Sequence, residues 1–221
     1  LFFLKKMKTY DFAYGRGRKE FSIDESLVIK EVRTEEFTPM SDIKQGVLDA
    51  IYNPIGCESI DKIIKPGDTV AFICNDPTRV ANSYDFMPVL VNEFNKLGVK
   101  DEDMHIVFSL GTHRDMTHEE MVEAVGEEVS SRLKMYNSTA TKDEDFEYFG
   151  TTSRGTPVWI NKHLCHVDHV ILTGTIVHHY FSGYGGGRKA ILPGCAAMET
   201  VRVNHSFMLD EKAGLGITKG N

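Results

Sequence analysis

The stretch PGDTVAFICNDPTR, residues 66–79, decides the fold class. It starts with a Pro-Gly turn, continues with five apolar residues from Val70 to Cys74, and ends in a polar cluster. A short apolar run between a turn and polar residues is typical of a strand buried on both faces, as in a parallel sheet covered by helices. Two other stretches have the same form: MHIVFSLGTH at 104–113 and HVDHVILTGTIV at 166–177.

Amphipathic segments separate these apolar runs. The chain has helical patterns at 41–53, 82–98 and 117–126, the last opening with a capping box formed by Thr117 and Glu120. Shorter strands are predicted at 21–23 and 26–33, as a hairpin-like lead-in, and at 156–160. The alternation predicts an α/β protein with a largely parallel sheet and helices on both faces. Its ligand site is expected at the carboxyl ends of the strands.

Composition limits the classes of partner. The formal net charge of −7 over 221 residues leaves no basic stripe for nucleic acid. No apolar run reaches the roughly 20 residues that span a bilayer, so no membrane partner is expected. The four cysteines lie at scattered positions, which indicates reduced thiols and a cytoplasmic location. Residues 1–7, around a start-like Met7, are interpreted as an upstream tail or a cloning remnant.

Polar clusters follow each of the three long apolar runs. NDPTR at 75–79 offers Asp76 and Arg79, and GTHRDMTH at 111–118 offers His113. A planar guanidinium suits a carboxylate or a phosphate, whereas Asp76 could instead cap the next helix. Because the carboxyl ends of parallel strands lie at one edge of the sheet, the three clusters predict one shared site.

The third cluster, HHYFSGYGGGRK at 178–189, is a glycine-rich loop ending in Lys189. Its spacing fits neither a phosphate-binding P-loop nor the dinucleotide fingerprint G-x-G-x-x-G, because Arg188 stands where each motif needs glycine. A plain flexible loop is the alternative. A lysine between a glycine run and the apolar AILPG is expected to be partly desolvated, which favours chemistry on its amine.

Two other segments of the sequence carry histidines that could bind a metal. HLCHVDH at 163–169 contains five residues of types that bind metals: His163, Cys165, His166, Asp168 and His169. It precedes the third apolar run, however, and matches no structural zinc spacing. We therefore predict that it is not a metal site. ETVRVNHSF at 199–207 places His205 on a predicted helix. Taken alone, His205 would be a surface histidine.

Taken together, these residues resemble the nickel-pincer lactate racemase family. The resemblance is carried by TGTIVHHYFSGYGGGRKAILPG at 173–194 followed by ETVRVNH at 199–205, with NDPTR and LGTHRDMT earlier in the same order. It extends from about residue 8 to the end of the chain. The division expected from it is residues 8–221 as the N-terminal α/β domain, without the second domain of the family.

The resemblance also implies a cofactor and roles for residues. Nickel would be held in a pyridinium-3,5-bisthiocarboxylate mononucleotide joined covalently to Lys189, with His205 as the protein ligand to the metal. His113 and His179 would be the two acid/base residues, and Arg79 would also lie near the substrate carboxylate. The remaining implied cofactor contacts are Asp76, Pro77, Thr78, Arg79, Gly185, Gly186 and Gly187, with the glycines leaving room for a flat ring.

The activity so implied is racemisation or epimerisation of a 2-hydroxy acid by reversible hydride transfer, with cofactor-building enzymes as partners. A different hydride transfer on a hydroxy or sugar acid and a non-catalytic ligand-binding domain are the alternatives. The sequence departs from the family pattern at Gly185, usually serine, at His178, commonly proline, and at Val80, frequently proline. His178 and His179 compete for one role, and the spacing of ten residues before Lys189 favours His179.

Overall fold

The computed structural model describes residues 6–36, 38–76 and 78–221, and the chain divides into two compact units at Met40 and Ser41. The first unit holds an antiparallel hairpin, β1 (Met7–Tyr14) with β2 (Gly17–Asp24). The predicted strand at 21–23 lies in β2 and is confirmed. Strand β1 was not predicted.

The predicted strand at 26–33 is wrong. The Asp24 side chain accepts a hydrogen bond from the Ser26 amide and starts a 3-10 turn, Glu25–Leu27. The segment after this turn forms no strand within residues 28–36. Its Glu31 carboxylate instead accepts a hydrogen bond from the Tyr10 hydroxyl at 2.6 Å, so a side-chain contact replaces the expected backbone pairing.

The second unit is built on a four-stranded parallel sheet. Its strands are β3 (Val70–Asn75), β4 (Met104–Gly111), β5 (Lys134–Thr139) and β8 (His169–Leu172), in the order β5-β4-β3-β8. The predicted α/β class is confirmed. The expected strand at 166–177 is a strand only over β8. Strand β5 was not predicted.

Helices are predicted on both faces of this sheet, and on one of them the structure has the 3-10 helices Lys162–Leu164 and Gly187–Ala190. α-Helices cover the opposite face. They are α1 (Ile43–Tyr52), α3 (Ser83–Lys96) and α4 (His118–Val125), as the sequence predicted, with the shorter α2 (Ile60–Ile63) and α5 (Glu127–Ser130). The capping box between Thr117 and Glu120 is present. Phe72, Phe94 and Phe108 are fully buried in the core between helices and sheet. In the part of the chain that the structure describes, no helix is long and apolar enough to cross a membrane.

The other face carries a second, smaller sheet and the loops that form the site. An antiparallel pair, β6 (Phe146–Thr151) and β7 (Pro157–Asn161), bridges to Ala196 through Ile160. Helix α6 (Met198–Ser206) follows, and the two-residue strands β9 (His178–His179) and β10 (Gly183–Tyr184) pair with each other. Ala71, Ile73 and Val107 of the parallel sheet are buried here against Leu164 and Cys195.

Two histidines and a tyrosine stack near the amino ends of β4 and β5. The His163 ring lies on the Tyr136 ring, with centroids 3.7 Å apart and planes 16° apart. The His105 Nε2 atom is 2.8 Å from the His163 carbonyl oxygen. Burial is the main cause that lowers the pKa of both histidines below the ordinary value of 6.5.

We expect this stack to make the fold sensitive to acid. A histidine with a depressed pKa binds its proton more readily in the unfolded chain, so the free energy of unfolding falls as the pH drops below about 6.5. His105→Gln keeps a donor for the His163 carbonyl but does not titrate. Urea unfolding between about pH 7 and pH 5 should therefore show a flatter pH dependence for His105→Gln than for the parent. His118→Gln, at an exposed histidine, is the control and should keep the parent's slope.

Candidate active site

A cavity of about 670 Å³ lies at the carboxyl ends of β3 and β4. Its walls come from the segments that follow β3, β4 and β8, together with the lysine-bearing loop and helix α6. It brings together most of the residues singled out in the sequence: Asp76, Thr78, Arg79, His113, His178, His179, Gly185, Gly186, Lys189 and His205. Gly187 does not line it, and Pro77 lies outside the described residues. Asn75 and Phe181 line the cavity without having been predicted.

The turn after β3 is organised by Asp76. One carboxylate oxygen of this buried residue accepts hydrogen bonds from the Thr78 amide, at 2.8 Å, and from the Thr78 hydroxyl. The Arg79 amide donates to the Asp76 carbonyl at 3.0 Å. Asp76 therefore does not cap the next helix, which begins at Ser83 with Asn82 as its N-cap residue. This tight turn directs the chain so that Arg79 reaches the cavity.

His113 lies in the loop after β4, next to that turn. Its Nδ1 atom is 3.3 Å from the second oxygen of the Asp76 carboxylate. The loop is held by an ion pair between Asp115 and Lys142 and by a hydrogen bond from Thr139 to Asp115. The Asp76 carboxylate thus lies beside the His113 ring, and the contacts of Asp115 fix the loop two residues further on. The His113 ring remains partly exposed to the cavity.

The adjacent His178 and His179 differ in their surroundings. His178 is exposed, and its ring packs on Tyr184 with centroids 4.9 Å apart. His179 is half-buried, and its Nδ1 atom lies 3.3 Å from the donating Ser182 amide. The pKa of His179 is lowered, chiefly by burial and then by the positive charges of Lys189 and Arg79. Both histidines line the cavity, and His179 is the more buried of the two.

Lys189 is half-buried in the wall of the cavity. Within the described residues its amine makes no hydrogen bond and no ion pair, and it lies 5.8 Å from the centroid of the Phe181 ring. Burial, followed by the charge of Arg79, lowers the pKa of Lys189 to about 8. Lys189 therefore gives up its proton at a lower pH than an exposed lysine does, as its sequence position between glycines and apolar residues suggested.

His205 projects from the last turn of α6. The helix is anchored at its start, where the Trp159 amide donates to the Thr200 hydroxyl at 3.0 Å and the Met198 amide to the Ala140 carbonyl at 2.8 Å. The Nδ1 atom of His205 is buried and has no hydrogen-bond partner among the described residues. Burial is the main cause that lowers its pKa. An unpaired buried nitrogen is costly, so this imidazole is suited to a ligand that the protein itself does not supply.

Two glycines of the loop, Gly185 and Gly186, pack closely against the chain itself. A Cβ atom at Gly186 would lie 3.0 Å from both the Thr175 carbonyl oxygen and the Ile176 side chain, and its φ is +72°. One at Gly185 would lie 3.3 Å from the Val177 side chain. The structure thus gives these two glycines a reason other than the expected room for a flat ring: the loop lies directly against residues 175–177.

The segment HLCHVDH lies at the opposite, amino end of the parallel sheet, and its side chains have other partners. His166 pairs with Glu147, His169 with Asp68, and Asp168 accepts from the Thr69 amide, at 2.8, 2.8 and 2.9 Å. His163 stacks on Tyr136, and the Cys165 thiol donates to the Asn161 carbonyl. Over the described ranges, no group of three or more His, Cys, Asp or Glu side chains is arranged to hold a metal ion.

The parallel sheet, with a cavity lined by Arg79 and Lys189 at the carboxyl ends of its strands, defines an α/β domain with its candidate site at that edge. Residues 14–216 match the model of the lactate racemase N-terminal domain family. The chain belongs to this family.

Two curated relatives are lactate racemases. The chain is 31% identical over 175 residues to that of Lactiplantibacillus plantarum, covering 78% of this chain and 41% of the relative. It is 27% identical over 219 residues to that of Thermoanaerobacterium thermosaccharolyticum, covering 97% of this chain and 51% of the relative. The chain thus spans about half the length of these relatives or less.

Solved structures agree with the fold. The lactate racemase apoprotein of Thermoanaerobacterium thermosaccharolyticum superposes with a TM-score of 0.81 at 27% identity, over 97% of this chain and 50% of the other. A protein from Thermotoga maritima superposes with a TM-score of 0.60 over 76% of this chain and 40% of the other, and at 23% identity it supports the fold alone.

The lysine-bearing loop is joined to the end of β4 at Gly194, which gives a test of the site's rigidity. The Gly111 amide donates to the Gly194 carbonyl at 2.9 Å, and a Cβ atom at Gly194 would meet the Ser109 Cβ atom at 2.6 Å. Gly194→Ala should therefore lower the free energy of unfolding by about 1–3 kcal/mol in urea titration. Gly17→Ala is the control, since its Cβ atom would approach nothing closer than 3.9 Å. Equal stability of Gly194→Ala and the parent would show that the loop moves freely from β4.

Proposed function

We propose that this chain is the cofactor-bearing half of a nickel-dependent, lactate racemase-like isomerase acting on a 2-hydroxy acid. One observation carries the proposal. A single cavity collects the Lys189 amine and the buried Nδ1 atom of His205, which have no ion or hydrogen-bond partner among the described residues, together with two further histidines, His113 and His179. The relatives' printed names supply the reaction, which comes to this chain as part of the proposal.

The charges of the cavity favour an anionic substrate. Arg79 forms no ion pair within the described residues, and Lys189 lies close enough to it to lose proton affinity. Asp76 is the only acidic side chain among the described residues that line the cavity, and it faces Thr78 and His113. The planar guanidinium of Arg79 is suited to bind the carboxylate of a 2-hydroxy acid.

Two imidazoles provide for proton transfer in this cavity. Inverting a 2-hydroxy acid requires a group that takes the hydroxyl proton when the substrate is oriented one way, and a second group when it is oriented the other way. His179 is held largely neutral by burial and by neighbouring positive charges, which suits a base. His113 faces the Asp76 carboxylate through Nδ1, so its Nε2 atom is the one available to a substrate.

The residues fit the cofactor that the family resemblance implies. His205 offers a neutral imidazole nitrogen, which is a good nickel ligand. Its buried Nδ1 atom has no hydrogen-bond partner among the described residues. Lys189 would form the covalent attachment, while Asp76, Thr78, Arg79 and the glycine loop would contact the nucleotide. When bound, the cofactor supplies a reversible acceptor for the substrate hydride. Enzymes that build the cofactor would then be partners of the protein.

Covalent loading tests the proposal directly. The full-length protein is coexpressed with the cofactor-building enzymes, and its intact mass and nickel content are compared with those of Lys189→Ala. We expect an adduct and nickel on the parent alone, because the alanine has no amine to attach. The absence of an adduct on both, in a preparation where a known racemase becomes loaded, would contradict the proposal and favour the non-catalytic alternative.

The acid/base assignment is tested on the loaded protein. His113→Ala and His179→Ala should each lower kcat by about 10²–10⁴-fold, because a positioned acid/base group contributes that much. His118→Ala, outside the cavity, should leave kcat unchanged. A panel of 2-hydroxy acids and sugar acids, assayed from both stereoisomers, separates racemisation from another hydride transfer. Loss of turnover in His178→Ala but not in His179→Ala would move the role to His178.

A further inference from the structure

The amine of Lys189 is chemically available before any cofactor is attached. Its neighbours are the Phe181 ring and the positive Arg79, and within the described chain no carboxylate lies within 4.0 Å of its nitrogen. It faces a cavity of about 670 Å³, large enough for a small organic acid. A half-buried amine without a counterion is the usual environment of a lysine that attacks carbonyl groups.

Arg79 and His179 supply the other two groups that such chemistry needs. Arg79 has a guanidinium that no acidic side chain of the described residues occupies. His179 and Lys189 have the Phe181 ring as a common neighbour, with the His179 centroid 4.6 Å and the Lys189 amine 5.8 Å from the Phe181 centroid. Burial lowers the pKa of His179, so a largely neutral imidazole lies near the amine. The cavity thus combines a nucleophile, a carboxylate binder and a proton carrier.

We propose that the unmodified Lys189 captures small 2-oxo carboxylates as an imine, with Arg79 binding their carboxylate. The Lys189 nitrogen forms a bond to the carbonyl carbon, and the carbonyl oxygen takes up protons and leaves as water. The nitrogen gives up two protons in forming the C=N bond, and His179 carries protons between nitrogen and oxygen. Nothing is oxidised or reduced, and hydrolysis reverses the step.

Selectivity for the 2-oxo carboxylate follows from the arrangement of charge. A ketone without a carboxylate can react with the amine but gains nothing from Arg79. An acid without a carbonyl can pair with Arg79 but forms no bond to Lys189. A compound that carries both groups uses both residues, and a 2-oxo carboxylate is the most compact compound of this kind.

Imine formation at Lys189 does not require the proposed racemase activity, but it would compete with attachment of the proposed cofactor. The same nitrogen cannot hold an imine and a cofactor at once. If Lys189 anchors the cofactor, a 2-oxo acid will compete with loading and will not react with protein that is already loaded.

Reductive trapping tests the capture. The full-length protein from a host without the cofactor-building enzymes is incubated with pyruvate and cyanoborohydride, which reduces an imine to a stable amine. Intact mass and peptide mapping should show one adduct, at Lys189, and Lys189→Arg should show none. The trapping rate should rise as the pH rises towards about 8, where the amine loses its proton. Equal labelling of many exposed lysines, or of Lys189→Arg, would overturn the inference.

Arg79→Gln tests the selectivity. Removing a charge-assisted hydrogen bond is expected to slow the trapping of pyruvate. Acetone, which has no carboxylate, is the reference compound: loss of the Arg79 charge raises the pKa of Lys189 and slows trapping of both ketones alike, so the ratio of the pyruvate rate to the acetone rate is the quantity that should fall roughly tenfold. An equal effect on both compounds would overturn the role of Arg79.

The outcomes separate this inference from the proposed function. Cofactor loading on Lys189 in coexpressed protein, without pyruvate trapping in the unloaded protein, would refute the capture alone. Trapping at Lys189 without cofactor loading would support the capture and refute the racemase proposal.

Discussion

The hydrogen bonding of β3 on both of its edges is the constraint on which the rest of the site depends. β3 pairs in parallel with β4 on one side and with β8 on the other, and its residues from Val70 to Cys74 are fully buried. Parallel pairing puts the carboxyl ends of all three strands at one edge of the sheet. Segments that are far apart in sequence, such as those of Arg79 and His179, therefore meet in one cavity.

The backbone beyond β8 extends this constraint to the lysine-bearing loop. Thr173 continues alongside β3 by donating its amide and its hydroxyl to the Ile73 carbonyl, at 3.1 and 2.8 Å. The Thr175 hydroxyl then donates to the Val80 carbonyl, which ties the third segment to the first. Gly185 and Gly186 lie directly against residues 175–177, so backbone packing positions the loop that carries Lys189; among the described residues no ion pair holds its amine.

Sequence patterns predicted those parts of the protein that depend on local chemistry. The apolar runs of β3 and β4 and the capping box of α4 were recognisable, because burial on both faces and helix capping leave a local pattern. Strand β5, KMYNST, mixes polar and apolar residues at one edge of the sheet and leaves no such pattern. The predicted strand at 26–33 failed because Asp24 starts a 3-10 turn, and Glu31 bonds to Tyr10 instead of entering a ladder.

The sequence predicted which residues form the candidate site, but not how deeply they are buried or which of them lack partners. The polar clusters after three predicted strands placed Asp76, His113, His179 and Lys189 at one site, and the family resemblance added His205; all five line the cavity. No sequence pattern could show that the His205 Nδ1 atom is buried without a partner, because that depends on where α6 meets Phe181. Nor could a pattern show that Gly185 and Gly186 pack against residues 175–177, because that contact is made across a turn of the chain.

The charges and the buried imidazole nitrogen of the cavity favour the binding of a ligand there. A protein of net charge −7 places Arg79 and Lys189 close enough to repel each other, without an acidic side chain between them in the described chain. The buried nitrogen of His205 adds a second unfavourable group at the same place. The repulsion between the two cations and the unpaired nitrogen both destabilise the domain. A bound anion would relieve the first, and a group that bonds to the imidazole would relieve the second. Such conflicts between local stability and the fold are characteristic of functional sites, because the stability lost in the free protein is regained when the ligand binds.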